Sequence, residues 1–247
     1  MLFGEAEFPA RFEAAARAGF SAVEIQFPYA WDKKQLAQAA KRAAVEIVLI
    51  NITAGDPQRG ERGIACLPGR AAEFREGVAR ALEYAVALGC RRMNCLAGIA
   101  PRDSDPAELR ETYVSNLRYA AGKLAREGVT LLVEPISTAA IPGFFLNRSA
   151  EAFALLDDVS NLKVQYDLYH MRMMGDDLAA TIEANLSRIG HMQFADAPGR
   201  HQPGTGAIDF PALFHLADRL GYRGWMGAEY TPTGRTEESL AWAKDYL

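Results

Sequence analysis

The sequence has few of the residues that would mark several large protein classes. Its three cysteines, Cys66, Cys90 and Cys95, are odd in number and form no CxxC or Cys/His group, which argues against a disulfide framework and a zinc site. No apolar run approaches the ~20 residues that a membrane span needs. The chain has no excess of positive charge, since 27 Lys and Arg stand against 31 Asp and Glu. Nothing in its charge therefore predicts binding to a nucleic-acid backbone.

The amino-terminal segment also lacks the features of a targeting signal. It reads MLFGEAEFPARFEAAARAGF, with acidic residues and an amphipathic pattern, unlike a secretory signal. Hydrophobic residues make up 49% and charged residues 23% of the chain, as is typical of globular proteins. We therefore predict a cytoplasmic protein with no membrane or nucleic-acid partner. The 247 residues contain no linker or low-complexity segment and are predicted to form one domain, residues 1–247.

Short apolar runs alternate with amphipathic stretches along the whole chain, which predicts parallel βαβ units. The predicted strands are 22–27, 46–52, 92–98, 130–136, 162–168, 189–195 and 224–230. The predicted helices lie near 8–19, 33–43, 70–89, 106–127, 148–158, 176–187, 210–220 and 236–246.

This pattern comes close to a TIM-type (β/α)8 barrel, an α/β fold that typically takes ~250 residues. A doubly wound open sheet is the alternative. That fold usually has a glycine-rich turn after its first strand, whereas Pro28, Tyr29 and Ala30 follow the first strand here. The barrel is therefore favoured. Period-2 alternation then directs the apolar face of each strand to the helices and the polar face into the barrel.

Four polar residues stand at or near the ends of four successive strands: Glu134, Asp167, Gln193 and Glu229. Each follows the previous one by about one βα unit, which places all four at the carboxyl end of the barrel, where such enzymes hold their active sites. Three converging carboxylates would repel one another, and a divalent cation would offset that repulsion. Oxygen ligands suit a hard ion, so Mg²⁺ or Mn²⁺ is predicted.

Longer segments carry a resemblance to a known family. NITAGDPQRGERGIACLPGR, LLVEPI, IPGFF, QYDLYHM, GHMQFADAPGRHQPGTG and GAEY closely resemble hydroxypyruvate isomerases and the related 2-oxo-tetronate isomerases, of the xylose-isomerase-like barrel superfamily. The resemblance runs from residue 1 to the carboxyl terminus. It implies an intramolecular oxidoreductase that interconverts hydroxypyruvate and tartronate semialdehyde through an enediolate. It also implies that Glu134 and Glu229 act as the acid/base pair while sharing the metal with Asp167 and Gln193.

Three further residues are candidates for substrate binding. His170 stands where related sugar epimerases have a histidine that bonds a substrate oxygen, and Arg200 matches a family arginine that reaches the substrate. Arg62, in the GERGIA loop, is a candidate for binding the substrate carboxylate, because a guanidinium binds carboxylates in bidentate fashion.

The start of the chain departs from a complete barrel. Relatives carry about ten more residues that form a strand before the first helix, and only Met1, Leu2 and Phe3 stand there in this sequence. The first strand is therefore predicted to be truncated, whether by nature or by choice of start codon. The expected result is an open edge or gap beside 22–27, which lowers stability and favours homo-oligomers.

Three other functions remain open at the level of sequence. One is an isomerase or epimerase of a longer sugar acid such as 2-oxo-tetronate, and another is a barrel that binds a sugar acid without turnover. The third is an AP-endonuclease-like nuclease. That activity needs a histidine-rich, three-metal site and a basic groove, which four histidines and a net charge of −4 argue against.

Overall fold

Seven parallel strands surround the centre of the molecule, which is seen in a computed structural model that describes residues 1–247. Each strand pairs with the next one along the chain. The strands are β1 (Ala22–Ile25), β2 (Glu46–Asn51), β3 (Arg92–Asn94), β4 (Thr130–Val133), β5 (Leu162–Asp167), β6 (Ile189–Phe194) and β7 (Met226–Ala228). All seven predicted strands are present, and the nearly closed ring with helices outside it confirms the TIM-barrel fold.

Helices alternate with the strands. They are α1 (Ala10–Arg17), α2 (Lys33–Ala43), α3 (Ala71–Leu88), α4 (Pro106–Ala125), α5 (Ser149–Asp158), α6 (Leu168–Met173), α7 (Leu178–Asn185) and α8 (Phe210–Arg219). Aspartate side chains accept amide hydrogen bonds at the start of α2, α4, α7 and α8, which satisfies amides that a helix leaves unpaired. No helix has both the length and the apolar character that crossing a bilayer requires.

Two segments differ from the helix predictions. Residues Glu237–Asp245 form a 3-10 helix instead of the predicted α-helix. The sequence pattern did not separate the two, because the apolar spacing of so short a stretch fits 3.0 residues per turn as well as 3.6. The six-residue helix α6 was not predicted. It begins where Asp167 at the end of β5 accepts hydrogen bonds from the amides of Tyr169 and His170.

The strands present one face to the helices and one to the barrel interior, as predicted. Phe194 on β6 packs against Phe210, Phe214 and Trp242, with ring centroids 5.2–5.6 Å apart. The next residue towards the amino terminus, Gln193, points into the interior and is 1% exposed. The interior therefore holds polar side chains that must find partners among themselves.

The ring does not close through backbone hydrogen bonds. β1 and β7 are the two ends of the strand order, and neither pairs with the other. Both are largely half-buried, whereas β4 and β5 are mostly buried. Residues 2–5 form a turn rather than the tail of a strand. Phe3 has a left-handed φ of 56°, and its amide donates to Thr236 Oγ1 at 2.8 Å.

Candidate active site

Three carboxylates meet at the carboxyl end of the barrel. Glu134 follows β4, Asp167 ends β5 and Glu229 follows β7, and their exposed fractions are 5%, 0% and 8%. Glu134, Asp167 and His170 each offer one ligand atom, and these atoms lie within 4.8 Å of one another. The structure therefore brings a buried acidic cluster together at the end of the barrel where the sequence predicted it.

Asp167 divides its two carboxylate oxygens between two tasks. Oδ1 accepts from the amides of Tyr169 at 2.7 Å and His170 at 3.3 Å, and so begins α6. Oδ2 is buried without a hydrogen-bond partner. It lies 3.7 Å from His170 Nε2 and 3.9 Å from Arg200 Nη2. An unpartnered buried carboxylate oxygen is costly, and it fits the requirement of a cation ligand.

His170 is fixed by the same short helix. Its Nδ1 lies 3.2 Å from Ser137 Oγ, which leaves Nε2 directed towards the cluster, 3.9 Å from Glu134 Oε1. Burial lowers the pKa of His170 to about 4. The imidazole is therefore neutral at neutral pH and can donate or accept one hydrogen bond at Nε2.

Glu229 is held from two sides. The Gln26 side-chain amide donates to its Oε1, and Arg200 Nη2 donates to its Oε2 at 2.7 Å. The Arg200 guanidinium also lies 5.2 Å from the centre of the Tyr169 ring, and the face of an aromatic ring attracts a cation at this distance. Arg200 thus lies within the cluster, and its binding of the substrate stays a prediction.

Both glutamates resist ionisation. Burial is the main cause that raises the pKa of Glu229 to about 7, although Arg200 opposes it. Burial, followed by the charges of Glu229 and Asp167, raises the pKa of Glu134 well above its ordinary value. Asn94 Nδ2 donates to Glu134 Oε2 at 2.9 Å. Glu229 can therefore both take up and release a proton near neutral pH, whereas Glu134 favours its protonated form.

Gln193 borders the cluster but is engaged deeper in the barrel. Its Oε1 accepts from Gln165 Nε2 at 2.5 Å, and its Nε2 donates to Glu24 Oε2 at 2.6 Å. Glu24 Oε1 in turn lies 2.5 Å from His191 Nε2. The strand register places Gln193 opposite Asp167, next to the cluster. To bind a metal, the Gln193 oxygen would have to give up the hydrogen bond that it accepts from Gln165. The role of Gln193 as a metal ligand therefore stays a prediction.

Arg62 is not brought to the cluster. It is exposed, and its side chain donates only to the carbonyl of Glu61, its neighbour in the chain, at 2.9 Å. Arg70, farther along the same loop, forms ion pairs with Glu61 and Glu73. The predicted binding of a substrate carboxylate by Arg62 therefore has no support in the geometry and stays a prediction.

The sequence analysis missed several residues of this end of the barrel. A polar side chain follows or ends six of the seven strands, and in β6 Gln193 precedes the last residue. The same phase that indicated the four candidates also covers Gln26, Asn51 and Asn94. Gln26 and Asn94 hold the two glutamates. Extending the phase argument to β1–β3 would have found them.

The loop that carries Arg200 is organised by one buried carboxylate. Asp196 is 1% exposed and accepts hydrogen bonds of 2.8–3.1 Å from the amides of Ala197, Gly204, Gly206 and Ile208. Its own carbonyl accepts from the Arg200 amide at 2.8 Å. Asp196 therefore fixes the path of the loop on both sides of Arg200.

Replacing Asp196 by alanine is expected to lower the free energy of unfolding by about 3 kcal/mol, because buried amides lose a charged acceptor. Arg200 should lose its position as well, so turnover should fall. The matched control is Asp209→Ala, which removes only the cap of α8 and should cost about 1 kcal/mol with turnover unchanged. Urea unfolding and a turnover assay measure both effects. Equal losses for the two variants would contradict the role given to Asp196.

Comparisons with known proteins show the family of the chain. A family model described as xylose isomerase-like TIM barrel matches residues 12–246. Hydroxypyruvate isomerase of Escherichia coli (strain K12) is 48% identical over 100% of this chain and 96% of that protein. 2-Oxo-tetronate isomerase of Cupriavidus necator is 44% identical over 100% of this chain and 96% of that protein.

Solved structures share the same architecture. A crystal structure from Brucella melitensis, described as AP endonuclease, family 2, superposes with a TM-score of 0.97 at 44% identity, covering 99% of this chain and 95% of that one. The apo 3-keto-D-glucoside 4-epimerase from E. coli superposes with a TM-score of 0.79 at 22% identity over 96% of this chain and 94% of that one. The second likeness concerns the fold alone.

Proposed function

We propose, from the premise that the chain belongs to the xylose isomerase-like TIM barrel family, that it is an isomerase interconverting hydroxypyruvate and tartronate semialdehyde. One observation carries the proposal: Glu134, Asp167 and Glu229 lie buried together with Arg200 at the carboxyl end of the barrel. The relatives named hydroxypyruvate isomerase and 2-oxo-tetronate isomerase support the choice of a small hydroxy-carbonyl acid as substrate.

The reaction needs two proton movements on carbon. A base removes a proton from C3 of hydroxypyruvate, the enediolate forms, and an acid returns a proton to C2, while the C3 hydroxyl proton passes to the C2 oxygen. Glu134 and Glu229 are proposed as the acid/base pair. Their raised pKa values suit groups that must be protonated in one step and ionised in the next.

A divalent cation fits the donor set. We propose Glu134, Asp167 and Glu229 as ligands, with Gln193 as the fourth, and Mg²⁺ or Mn²⁺ as the ion, since all donors are oxygens. The orphaned Asp167 Oδ2 supports this assignment. When bound, such an ion supplies positive charge to the oxyanion that develops during proton transfer.

Two neighbouring side chains complete the proposed site. His170 Nε2 is available to bond a substrate oxygen, since Nδ1 is directed to Ser137. Arg200 is proposed to attract the substrate carboxylate while it keeps its bond to Glu229. His170 stands on α6 and Arg200 on the loop fixed by Asp196, so both side chains are positioned before the substrate binds.

A substrate panel tests the proposal directly. The purified protein is assayed with Mg²⁺ or Mn²⁺ against hydroxypyruvate, 2-oxo-tetronate and a duplex DNA containing an abasic site. We expect the highest kcat/KM with hydroxypyruvate and no cleavage of the DNA. A higher kcat/KM with 2-oxo-tetronate would assign the protein to the longer substrate. Tight binding of either acid without turnover would indicate a binding protein, and DNA cleavage would overturn the isomerase assignment.

A further inference from the structure

Glu24 on β1 reaches across the barrel interior to two residues of β6. Its Oε1 lies 2.5 Å from His191 Nε2, and its Oε2 accepts from Gln193 Nε2 at 2.6 Å. We propose that Glu24 is a positioning residue that fixes the orientation of the Gln193 amide, so that the amide oxygen faces the side of the proposed cation. The inference deepens the proposed function, because it rests on Gln193 being a ligand of that cation.

The bond to Glu24 allows only one orientation of the Gln193 amide. A carboxylate only accepts hydrogen bonds, so the NH2 group of Gln193 must face Glu24 and the oxygen must face away from it. The oxygen is directed towards β5, where it accepts from Gln165 Nε2 at 2.5 Å. β5 is also the strand that carries Asp167, the residue opposite Gln193 in the strand register. Glu24 therefore presents the oxygen of the amide, rather than its NH2 group, to the strand that carries Asp167.

His191 holds the other oxygen of the Glu24 carboxylate. His191 and Gln193 are two residues apart on β6 and so share the interior face of that strand, where they are 0% and 1% exposed. One carboxylate oxygen of Glu24 bonds to each of them. A carboxylate that is engaged at both oxygens has little freedom to rotate, so it cannot adapt to a Gln193 amide that is turned the other way.

The path of the Glu24 side chain depends on a glycine of β7. Gly227 pairs with Gln193 in the strand register, and a Cβ atom added to Gly227 would overlap the Oε1 and Cδ atoms of Glu24. The carboxylate thus occupies the space that any larger side chain at this position would fill. Gly227 does not have a positive φ, so the close approach of Glu24, and not the backbone conformation, requires glycine here.

Binding of Mn²⁺, followed by electron paramagnetic resonance, tests the positioning role without a turnover assay. In Glu24→Gln, the oxygen of the new amide can accept from His191 Nε2, so its NH2 group faces Gln193 and the Gln193 oxygen turns towards it. The cation then loses that oxygen. We expect the Kd for Mn²⁺ to rise at least about tenfold, since groups that orient metal ligands typically contribute about 10–100-fold to metal affinity. Water-proton relaxation should count one more water on the bound Mn²⁺ than in the unchanged chain.

Gly227→Ala tests the same carboxylate from the other side. The added methyl group should displace Glu24 and raise the Kd for Mn²⁺ by a similar factor. Combining Gly227→Ala with Glu24→Gln should raise the Kd no more than about twofold beyond the weaker single variant, because both changes act through one side chain. The matched control is Gly122→Ala on α4, where an added Cβ meets no atom within 4 Å, and its Kd should be unchanged. If the two effects multiply instead, the proposal is overturned. If Gly227→Ala does not fold, the Kd and the water count of Glu24→Gln still decide the question.

Gln193→Ala separates failure of this inference from failure of the proposed function. It should weaken Mn²⁺ binding at least as much as Glu24→Gln does. If Gln193→Ala weakens binding and Glu24→Gln does not, the positioning role is overturned while the proposed cation site stands. If neither variant changes the Kd, Gln193 is not a ligand and the positioning role is overturned with it, whereas the substrate panel still decides the isomerase activity. A lower melting temperature of metal-free Glu24→Gln, without an added water on the bound Mn²⁺, would show a purely structural role and would also overturn the proposal.

Discussion

Replacing Glu134 or Glu229 by glutamine is expected to lower turnover of hydroxypyruvate by a factor of about 100 or more. Glutamine keeps the size of the side chain and one oxygen, but it cannot take up or release a proton. General acid–base catalysis typically contributes 10²–10⁴-fold, so a hundredfold loss corresponds to about 2.7 kcal/mol of transition-state stabilisation. Both variants should still fold. In Glu134→Gln the remaining oxygen can accept from Asn94, whereas in Glu229→Gln the single oxygen serves either Gln26 or Arg200, which bond different oxygens of Glu229, so a small loss of stability is expected there.

The control for this experiment is Glu76→Gln on α3, an exposed glutamate far from the cluster, which should leave turnover unchanged. Metal content must be measured in each variant, because Glu134 and Glu229 are proposed to act as ligands as well. A variant that retains the cation and has lost turnover supports the acid/base role. If either variant retains the cation and turns over hydroxypyruvate at a near-normal rate, that glutamate is not the acid or the base.

The faces of the strands could be predicted from sequence, because a strand allows only two directions for each side chain. Phe194 packs against helix residues and Gln193 points inward, as the alternation required. The same argument brought Glu134, Asp167 and Glu229 to one end, because parallel strands of similar length end at a common level. These predictions rest on local geometry that repeats from one βα unit to the next.

Partners across the barrel could not be predicted in this way. Glu24 bonds to His191 and Gln193, which lie more than 160 positions later in the chain. No periodic pattern indicates which interior polar groups pair, because the choice depends on side-chain length and on the gap beside β7. The engagement of Gln193 with Glu24 and Gln165 was therefore beyond the reach of the sequence.

Loop arginines illustrate the same limit. Arg62 and Arg200 are both loop residues, and each could have reached a substrate carboxylate. The difference lies in the path of the two loops: Asp196 folds one of them back over the cluster, whereas Arg62 remains exposed. Asp196 accepts from four backbone amides, and apart from Gly204 and Gly206, which donate to it, no sequence pattern indicates this role.

Removing divalent cations is expected to lower turnover by a factor of about 100 or more and to lower the melting temperature. Glu134, Asp167 and Glu229 are buried within one cluster, and without a cation their mutual repulsion is relieved mainly by Arg200 and by protonation. A cation that binds the folded chain at 100 times its Kd stabilises it by about 2.7 kcal/mol. Dialysis against a chelator, followed by thermal unfolding and assay, measures both effects.

Restoring the ion distinguishes ligation from an indirect effect of the chelator. Mg²⁺ or Mn²⁺ should recover both turnover and melting temperature in the unchanged chain. Asp167→Asn provides the sharper test, because asparagine retains an oxygen that can accept from the amides of Tyr169 and His170, and so preserves the start of α6. It places the side-chain NH2, which does not bind a cation, at the position of Oδ2, so metal content should fall while the helix remains. Full metal content in Asp167→Asn, or full turnover in metal-free protein, would show that this carboxylate cluster does not hold a functional cation.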